Sequence, residues 1–207
     1  MLTVHHLNDS RSQRILWLLE ELEAPYEIAF YQRDAVTRLA PPALQAVHPL
    51  GKSPVLTDDG STIIESGAII DYILRHHGGG RLAPPSDSAD YEAYVQWLHY
   101  AEGSAMLPLM LKLYCGRLGE AAAPLAPRID SEIANHLGYV EASLAGRDWL
   151  VGDGLTGADI QMSFVGEIAG PYGLRAAYPN IDEWVTRFQA RPAYQRALAK
   201  GGPYSFA

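Results

Sequence analysis

One cysteine in 207 residues is all the thiol chemistry this chain carries. Cys115 has no second cysteine with which to form an internal disulfide or a CxxC redox pair, which agrees with a reducing compartment. Long apolar runs are missing too: none approaches the ~20 residues that a membrane span needs. The amino terminus lacks the sequence of basic start, apolar stretch and small-residue cleavage site, so a cytoplasmic protein with no membrane partner is expected. Basic residues are scarce, with 16 Lys and Arg against 24 Asp and Glu and a net charge of −8. Phosphate backbones are held by clustered Lys and Arg, which excludes nucleic acid as the main partner. An anionic ligand must then rely on a local basic patch, for which Lys52, Arg11 and Arg14 are the candidates. Repeats and low-complexity segments are also absent. What remains is an ordinary globular composition, 48% hydrophobic, long enough for one large or two small domains.

Thr3 to Leu7 reads as a short strand, and Asn8-Asp9-Ser10 is a cluster of cap-forming residues ahead of a helical pattern. Ile15, Leu18, Leu19 and Leu22 recur at i, i+3, i+4 and i+7, giving one face that packs on a sheet. Pro25 stops that helix and Tyr26 to Tyr31 reads as a second strand, parallel to the first in a βαβ unit. A short helix over Ala43 to Val47 follows Pro41-Pro42. Val55-Leu56 and Thr62 to Ile64 form a hairpin about Asp59-Gly60, and a helix from Ser66 to about His77 completes a βαβ-α-ββα order. Gly78-Gly79-Gly80 and Pro84-Pro85-Ser86 mark a linker over 78–87. Beyond it strand signals nearly vanish, and helices are expected at about 88–117, 125–146, 157–169, 181–190 and 193–199, the first kinked at Pro108. The fold class is an α/β domain over 1–77 and an all-α domain over 88–207. Thr156, with Asp159 three residues on and Leu155 against Ile160, is a capping box with a hydrophobic staple, so Asp159 is structural.

Lys52-Ser53-Pro54-Val55, the Asp59-Gly60 turn and Glu65-Ser66 follow one another without a gap. A proline opening a strand is often cis, since an X-Pro bond in that isomer costs only ~0.5–1 kcal/mol, and it turns the Val55 N–H and C=O towards solvent. An extended ligand pairs with such a strand end through its main chain. Ser66, at or near a helix N-cap, offers a hydroxyl and backbone donors to a carboxylate, while Glu65 holds an ammonium group beside it. An amino acid with both groups free, joined to a peptide through its side chain, fits that pair: the γ-glutamyl end of glutathione. Each feature has a bland counterpart, with Ser66 as an ordinary cap, Glu65 in solvent and Pro54 stiffening a turn. Their adjacency favours the ligand site.

His48-Pro49-Leu50-Gly51-Lys52-Ser53-Pro54-Val55, Glu65-Ser66-Gly67-Ala68-Ile69 and the Leu155 to Ile160 cap together resemble the cytosolic glutathione S-transferases over nearly the whole chain. That family joins a thioredoxin-like βαβ-α-ββα domain to an all-helical one. The opening Asn8-Asp9-Ser10-Arg11-Ser12-Gln13-Arg14 looks like its serine-type members, in a bacterial and fungal group with a Ser-Arg start. The resemblance implies a cis Pro54, Val55 paired with the cysteinyl backbone of glutathione, Glu65 and Ser66 on its γ-glutamyl end and Lys52 facing its glycyl carboxylate. It also implies a homodimer in which Glu102 reaches glutathione in the partner subunit. Glutathione is a co-substrate, with no cofactor and no metal. The reaction is detoxifying conjugation to small apolar electrophiles, with reduction of organic hydroperoxides as a companion activity.

Ser10 follows the first strand and is expected to open the first helix, where its hydroxyl donates to the sulfur. Its ordinary role would be an N-cap, and Ser12, Asn8 and Asp9 are its rivals, with Arg11 close by. Tyrosine-type relatives carry a tyrosine in the first strand, where this chain has His5 and His6, and Cys115 is far in sequence from the position of a cysteine-type nucleophile. His5 and His6 are adjacent on a strand, so they face opposite ways and cannot share a metal. His76 and His77 end a helix, where the dipole accounts for them. Tyr100, Met106, Met110 and Tyr114, with Trp97, would line an electrophile pocket, although helical spacing equally suits core packing. A glutathione-binding or carrier protein without catalysis uses the same groove, and a structural module uses none.

Overall fold

A computed structural model describes residues 1–207. Backbone contacts group the chain into two units, Met1–Pro85 with Phe188–Ala207 and Ser86–Arg187. The passage at Pro85 falls in the expected linker, whereas the C-terminal tail joins the N-terminal unit instead of the helical one.

The N-terminal unit is built on a four-stranded sheet of order β2-β1-β3-β4. Strands β1 (Leu2–Leu7) and β2 (Tyr26–Tyr31) are parallel, joined through α1 (Ser12–Leu22). After α2 (Ala43–Val47), β3 (Val55–Asp58) runs antiparallel to β1, with His5 opposite Val55. Asp59 and Gly60, at φ +42° and +86°, make the tight turn into β4 (Ser61–Ile63), as a two-residue hairpin with both centres left-handed requires. Helix α3 (Ser66–His77) follows, matching the expected bounds.

Helix α1 is buried nearly all round, not on a single face. Ile15, Leu18 and Leu19 form the expected stripe, but Trp17 is also inaccessible, stacked at 5.2 Å on Phe188 and edge-on at 5.5 Å to Tyr194. Its second cover is α9 (Pro192–Gly201), a contact across some 170 residues that no local pattern announces. Polar pairs fix the register: Glu20 accepts from Arg196, Lys200 and Tyr26, and Glu21 accepts both ends of the Arg191 fork.

The helical unit comprises α4 (Tyr91–Tyr100), α5 (Met106–Gly116), α6 (Ala126–Ser143), α7 (Gly157–Ala169) and α8 (Pro179–Gln189), the last running two residues past the unit's edge. A kink was expected at Pro108, but the irregularity lies earlier, as a π turn over Ala101–Ala105. The Met106 N–H reaches back to the Ala101 carbonyl, widening the helix just before the proline that cannot donate. Every residue of α7 is buried, and its start carries the expected capping box of Thr156 and Asp159. Asp159 also accepts from the Leu150 N–H at 2.9 Å and the Trp184 indole at 3.1 Å, which ties the preceding loop and α8 to one carboxylate. Burial pushes its pKa up to about 6, against the pull of those donors. Gly166 permits the close approach of α7 to α8, since a Cβ there would lie 2.7 Å from Val185.

Candidate active site

The Ser53–Pro54 peptide is cis and sits against the end of β1. The Ser53 hydroxyl donates to the His5 carbonyl at 2.8 Å and accepts from the Leu7 N–H at 3.3 Å. The proline is thereby fixed beside the loop that carries Ser10. On the other side of β3 the pairing with β4 stops at Leu56 opposite Ile63, so at Val55 the ladder towards β4 has already ended. That strand end is where an extended peptide adds main-chain hydrogen bonds. Lys52 is exposed two residues before Pro54.

Ser66, expected at or near the helix N-cap, is the first residue of α3. Glu65 takes the cap position, exposed, with φ +66° and ψ +119° and no side chain bonded to the helix start. A glutamate is disfavoured in that left-handed region, and residues held so are concentrated at ligand clamps. The conformation puts the Glu65 carboxylate and the Ser66 N-terminal donors side by side. An ammonium and a carboxylate on one carbon suit that pair.

Ser10 lies in the loop Asn8–Arg11 after β1, and α1 begins two residues later than expected, at Ser12. The reason is that Ser10 bonds forward onto the helix from outside it: its hydroxyl accepts from the Ser12 N–H at 3.2 Å and its carbonyl from the Gln13 N–H at 3.2 Å. The rivals are otherwise engaged. Asn8 accepts the Arg33 N–H at 2.8 Å through its side chain, and Asp9 binds Arg38 at 2.7 Å and the Ser205 N–H at 2.9 Å. Burial alone would raise the Asp9 carboxyl, but those bonds together hold it below the usual range. Ser12 is fully inaccessible, which leaves Ser10, at 4% exposure, as the outermost serine hydroxyl of the loop. Arg14 is buried within α1 and therefore adds no surface charge, while Arg11 is half-buried.

Comparison with known proteins adds independent support. Residues 1–75 match the family model for the glutathione S-transferase N-terminal domain, and residues 101–192 that for the C-terminal domain. Glutathione S-transferase 3 of Schizosaccharomyces pombe is 36% identical over 97% of this chain and 88% of its own. The chain belongs to the glutathione S-transferase family. A transferase crystal structure from Actinobacillus pleuropneumoniae superposes with a TM-score of 0.86 at 36% identity, covering 97% of this chain and 93% of that one. A sphingomonad glutathione S-transferase solved with glutathione superposes at 0.80, with 26% identity over 97% and 98% of the two chains.

In the helical unit of this transferase a cleft of about 500 Å³ is lined by Glu92, Gln96, Trp97, Tyr100, Ser104 and Tyr139 among others. Of the five residues expected in an electrophile pocket it takes Trp97 and Tyr100. Met106 is buried in the core, Tyr114 stands 56% exposed on α5 and Met110 is half-buried, because the π turn shifts the phase of α5 relative to α4. Tyr100 contacts His136 Nδ1 at 2.6 Å, and burial raises its hydroxyl to about 12, so it is a neutral hydrogen-bonding group. Glu102 is half-buried in the π turn. His5 contacts the Tyr31 hydroxyl and Thr57, while His6 points the opposite way, as adjacent strand positions dictate. His77 reaches the Asp58 carboxylate at 3.1 Å, a tertiary contact beyond the helix-end role expected of it. Sequence reasoning missed Arg33, whose guanidinium donates to the Asn8 and Asp9 carbonyls and shapes the Ser10 loop. Its only local signal was a basic residue just past β2.

Proposed function

We propose that this transferase binds glutathione along β3 and α3 and ionises its thiol at Ser10, as in the serine-type group. The thiolate then attacks small apolar electrophiles or the oxygen of organic hydroperoxides. The observation that carries the reading is the Ser10 hydroxyl, held against Ser12 in the loop after β1 while Asn8 and Asp9 are engaged elsewhere and Ser12 is buried. In this reading Val55 pairs with the cysteinyl backbone, Glu65 takes the γ-glutamyl ammonium, Ser66 its carboxylate, and Lys52 the glycyl carboxylate.

A free thiol with pKa near 8.5 is only a few per cent ionised at pH 7. Lowering it by two units takes about 2.7 kcal/mol of preferential thiolate stabilisation. A charge-assisted hydrogen bond supplies about 1.5–3 kcal/mol and a helix N-terminus about 0.3–2. Ser10 combines both, since the first N–H of α1 polarises the hydroxyl that meets the sulfur. The aromatic cleft with Tyr100 supports an apolar acceptor, and the glutathione complex of the sphingomonad relative supports the co-substrate. A homodimer is part of the proposal: Leu107, Leu111, Tyr114 and Leu118 form an exposed apolar stripe on and just beyond α5 that suits a protein cover.

Steady-state conjugation of an aryl chloride by Ser10→Ala tests the reading. Turnover should fall about 10- to 100-fold near neutral pH, with the KM for glutathione within about twofold. Unchanged turnover would move the thiol site off Ser10, and a wild type that binds glutathione without conjugating any electrophile would make the protein a carrier.

A further inference from the structure

The Gly201 carbonyl can only accept a hydrogen bond, so His6 Nε2, 3.1 Å from it, carries the proton of the neutral imidazole and Nδ1 is an acceptor. Ser12 Oγ lies 2.9 Å from Nδ1 and donates to it in preference to the Leu7 carbonyl, which is farther off at 3.3 Å. With its one proton so used, Ser12 accepts across the 2.7 Å contact with Ser10. The Ser10 O–H therefore points inwards, and an arriving thiol meets an oxygen lone pair. His6 is 2% exposed, Ser10 4% and Ser12 not at all, so water does not compete for the chain of bonds.

We propose that Ser10, Ser12 and His6 form a proton relay that carries the glutathione thiol proton to His6 Nδ1. The inference rests on the reading that Ser10 meets the sulfur. The thiol S–H bond breaks and its electron pair stays on sulfur. Ser10 Oγ gains that proton as its own passes to Ser12 Oγ, and the Ser12 proton passes to Nδ1. Afterwards Ser10 donates to the thiolate, Ser12 donates to Ser10, and the imidazolium donates to Ser12 and to Gly201. When sulfur has bonded to carbon and the leaving group has departed with its electron pair, the proton returns by the reverse path to solvent. Neither His6 nor Ser12 touches glutathione, so both are positioning residues.

The groups facing His6 are Ser12, the Gly201 carbonyl and, edge-on at 5.9 Å, the Phe30 ring of β2. The ionisable residues of the packed elements are Arg14, Glu20 and Glu21 on α1, Tyr26, Glu27 and Tyr31 on β2, Asp58 on β3 and Tyr194, Arg196 and Lys200 on α9; His5, its β1 neighbour, points to Tyr31 and Thr57. Glu20 binds both Arg196 and Lys200, and Glu21 binds Arg191. Burial, against the pull of the Gly201 carbonyl, keeps the ring's proton affinity below its ordinary value, so His6 is neutral before the thiol arrives and its imidazolium forms only as the partner of the thiolate.

Nitrogen NMR of the full chain with labelled histidine reads the relay directly, the His6 ring being assigned through its contact with Phe30. His6 should be neutral and Nε2-protonated in the free protein, become imidazolium with glutathione, and stay neutral with S-methylglutathione, which has no thiol proton. His6→Asn keeps an acceptor near Nδ1 but takes up no proton. It should raise the bound thiol pKa by about one unit, from about 6.5 to about 7.5, leaving about threefold less thiolate at pH 7. Its kcat/KM deficit should be about threefold at pH 7, with little change in glutathione KM, and should close above about pH 8.5, where the thiol ionises unaided. A neutral His6 in a complex whose ultraviolet absorbance shows thiolate overturns the relay and leaves the Ser10 reading intact. Thiolate and imidazolium signals that both persist in Ser10→Ala overturn the relay and the reading together, as does a complex with no thiolate.

Discussion

Ser66 and Ser10 are both hydroxyls at helix starts, yet the fold sets them different tasks. Ser66 heads α3 beside the left-handed Glu65, whereas Ser10 stands outside α1 and hands its carbonyl and hydroxyl oxygens to the helix. In the proposed site, removing the Ser66 hydroxyl takes away one hydrogen bond to the γ-glutamyl carboxylate, worth about 1.5–3 kcal/mol. Ser66→Ala should therefore raise the KM for glutathione roughly tenfold or more and lose retention on immobilised glutathione, with kcat at saturation within about twofold. A parallel loss of kcat would place Ser66 in the chemical step. These two serines were legible because their signals are local: a strand, a cluster of cap-forming residues, then a helical pattern. His6 was legible only as a strand residue facing away from His5, because the carbonyl that orients it lies 195 residues later. Ser66 was legible as a residue at or near the helix cap and stands as the first residue of α3, with Glu65 at positive φ in the cap position.

At the scale of elements, α1 and α7 are the buried helices, and each is tied to a distant partner through a carboxylate. Burial alone would raise the Glu20 carboxyl, but Lys200, Tyr26 and Arg196 together hold it below its ordinary value. A depressed folded pKa means that this contribution is present above the ordinary carboxylate value and is lost as pH falls through the folded one. Glu20→Gln should thus lower stability by about 1–3 kcal/mol at pH 7, with the difference from wild type shrinking in strong acid; thermal melts across pH check it. Asp159→Ala leaves the Leu150 N–H, the Thr156 N–H and the Trp184 indole without their acceptor, in a fully buried place. A loss of about 3–5 kcal/mol is expected from urea unfolding, with Asp159→Asn milder because one acceptor oxygen remains. The α7 cap was legible because Thr156 and Asp159 are three residues apart. The cover of α1 by α9 was not, since its evidence is Glu20 and Glu21 meeting basic residues some 170 to 180 positions away. The π turn escaped notice for another reason: Ala101 to Ala105 carries no residue that forbids an ordinary helix, and the proline that prompts it comes afterwards.

For the whole molecule, the sequence order βαβ-α-ββα and the passage at Pro85 were both readable from periodicity and Pro/Gly content, while the return of Phe188–Ala207 to the N-terminal unit was not. That return closes the N-terminal unit around the thiol loop, through Gly201 on His6 and Ser205 on Asp9. Assembly is the next level. Sedimentation should give a species of twice 22.6 kDa, and charged substitutions at Leu107 and Leu111 should shift it towards monomer. A monomer at all concentrations would remove the dimer from the proposal. The account as a whole depends on an enzyme that makes glutathione more acidic where α1 begins. Ultraviolet titration of the bound thiolate, in wild type and in Ser10→Ala, measures that effect. The expected result is a wild-type pKa about two units below the free value of roughly 8.5, returning most of the way in the variant. A bound thiol that titrates like free glutathione in the wild type, or a depressed pKa that survives the loss of Ser10, would contradict it.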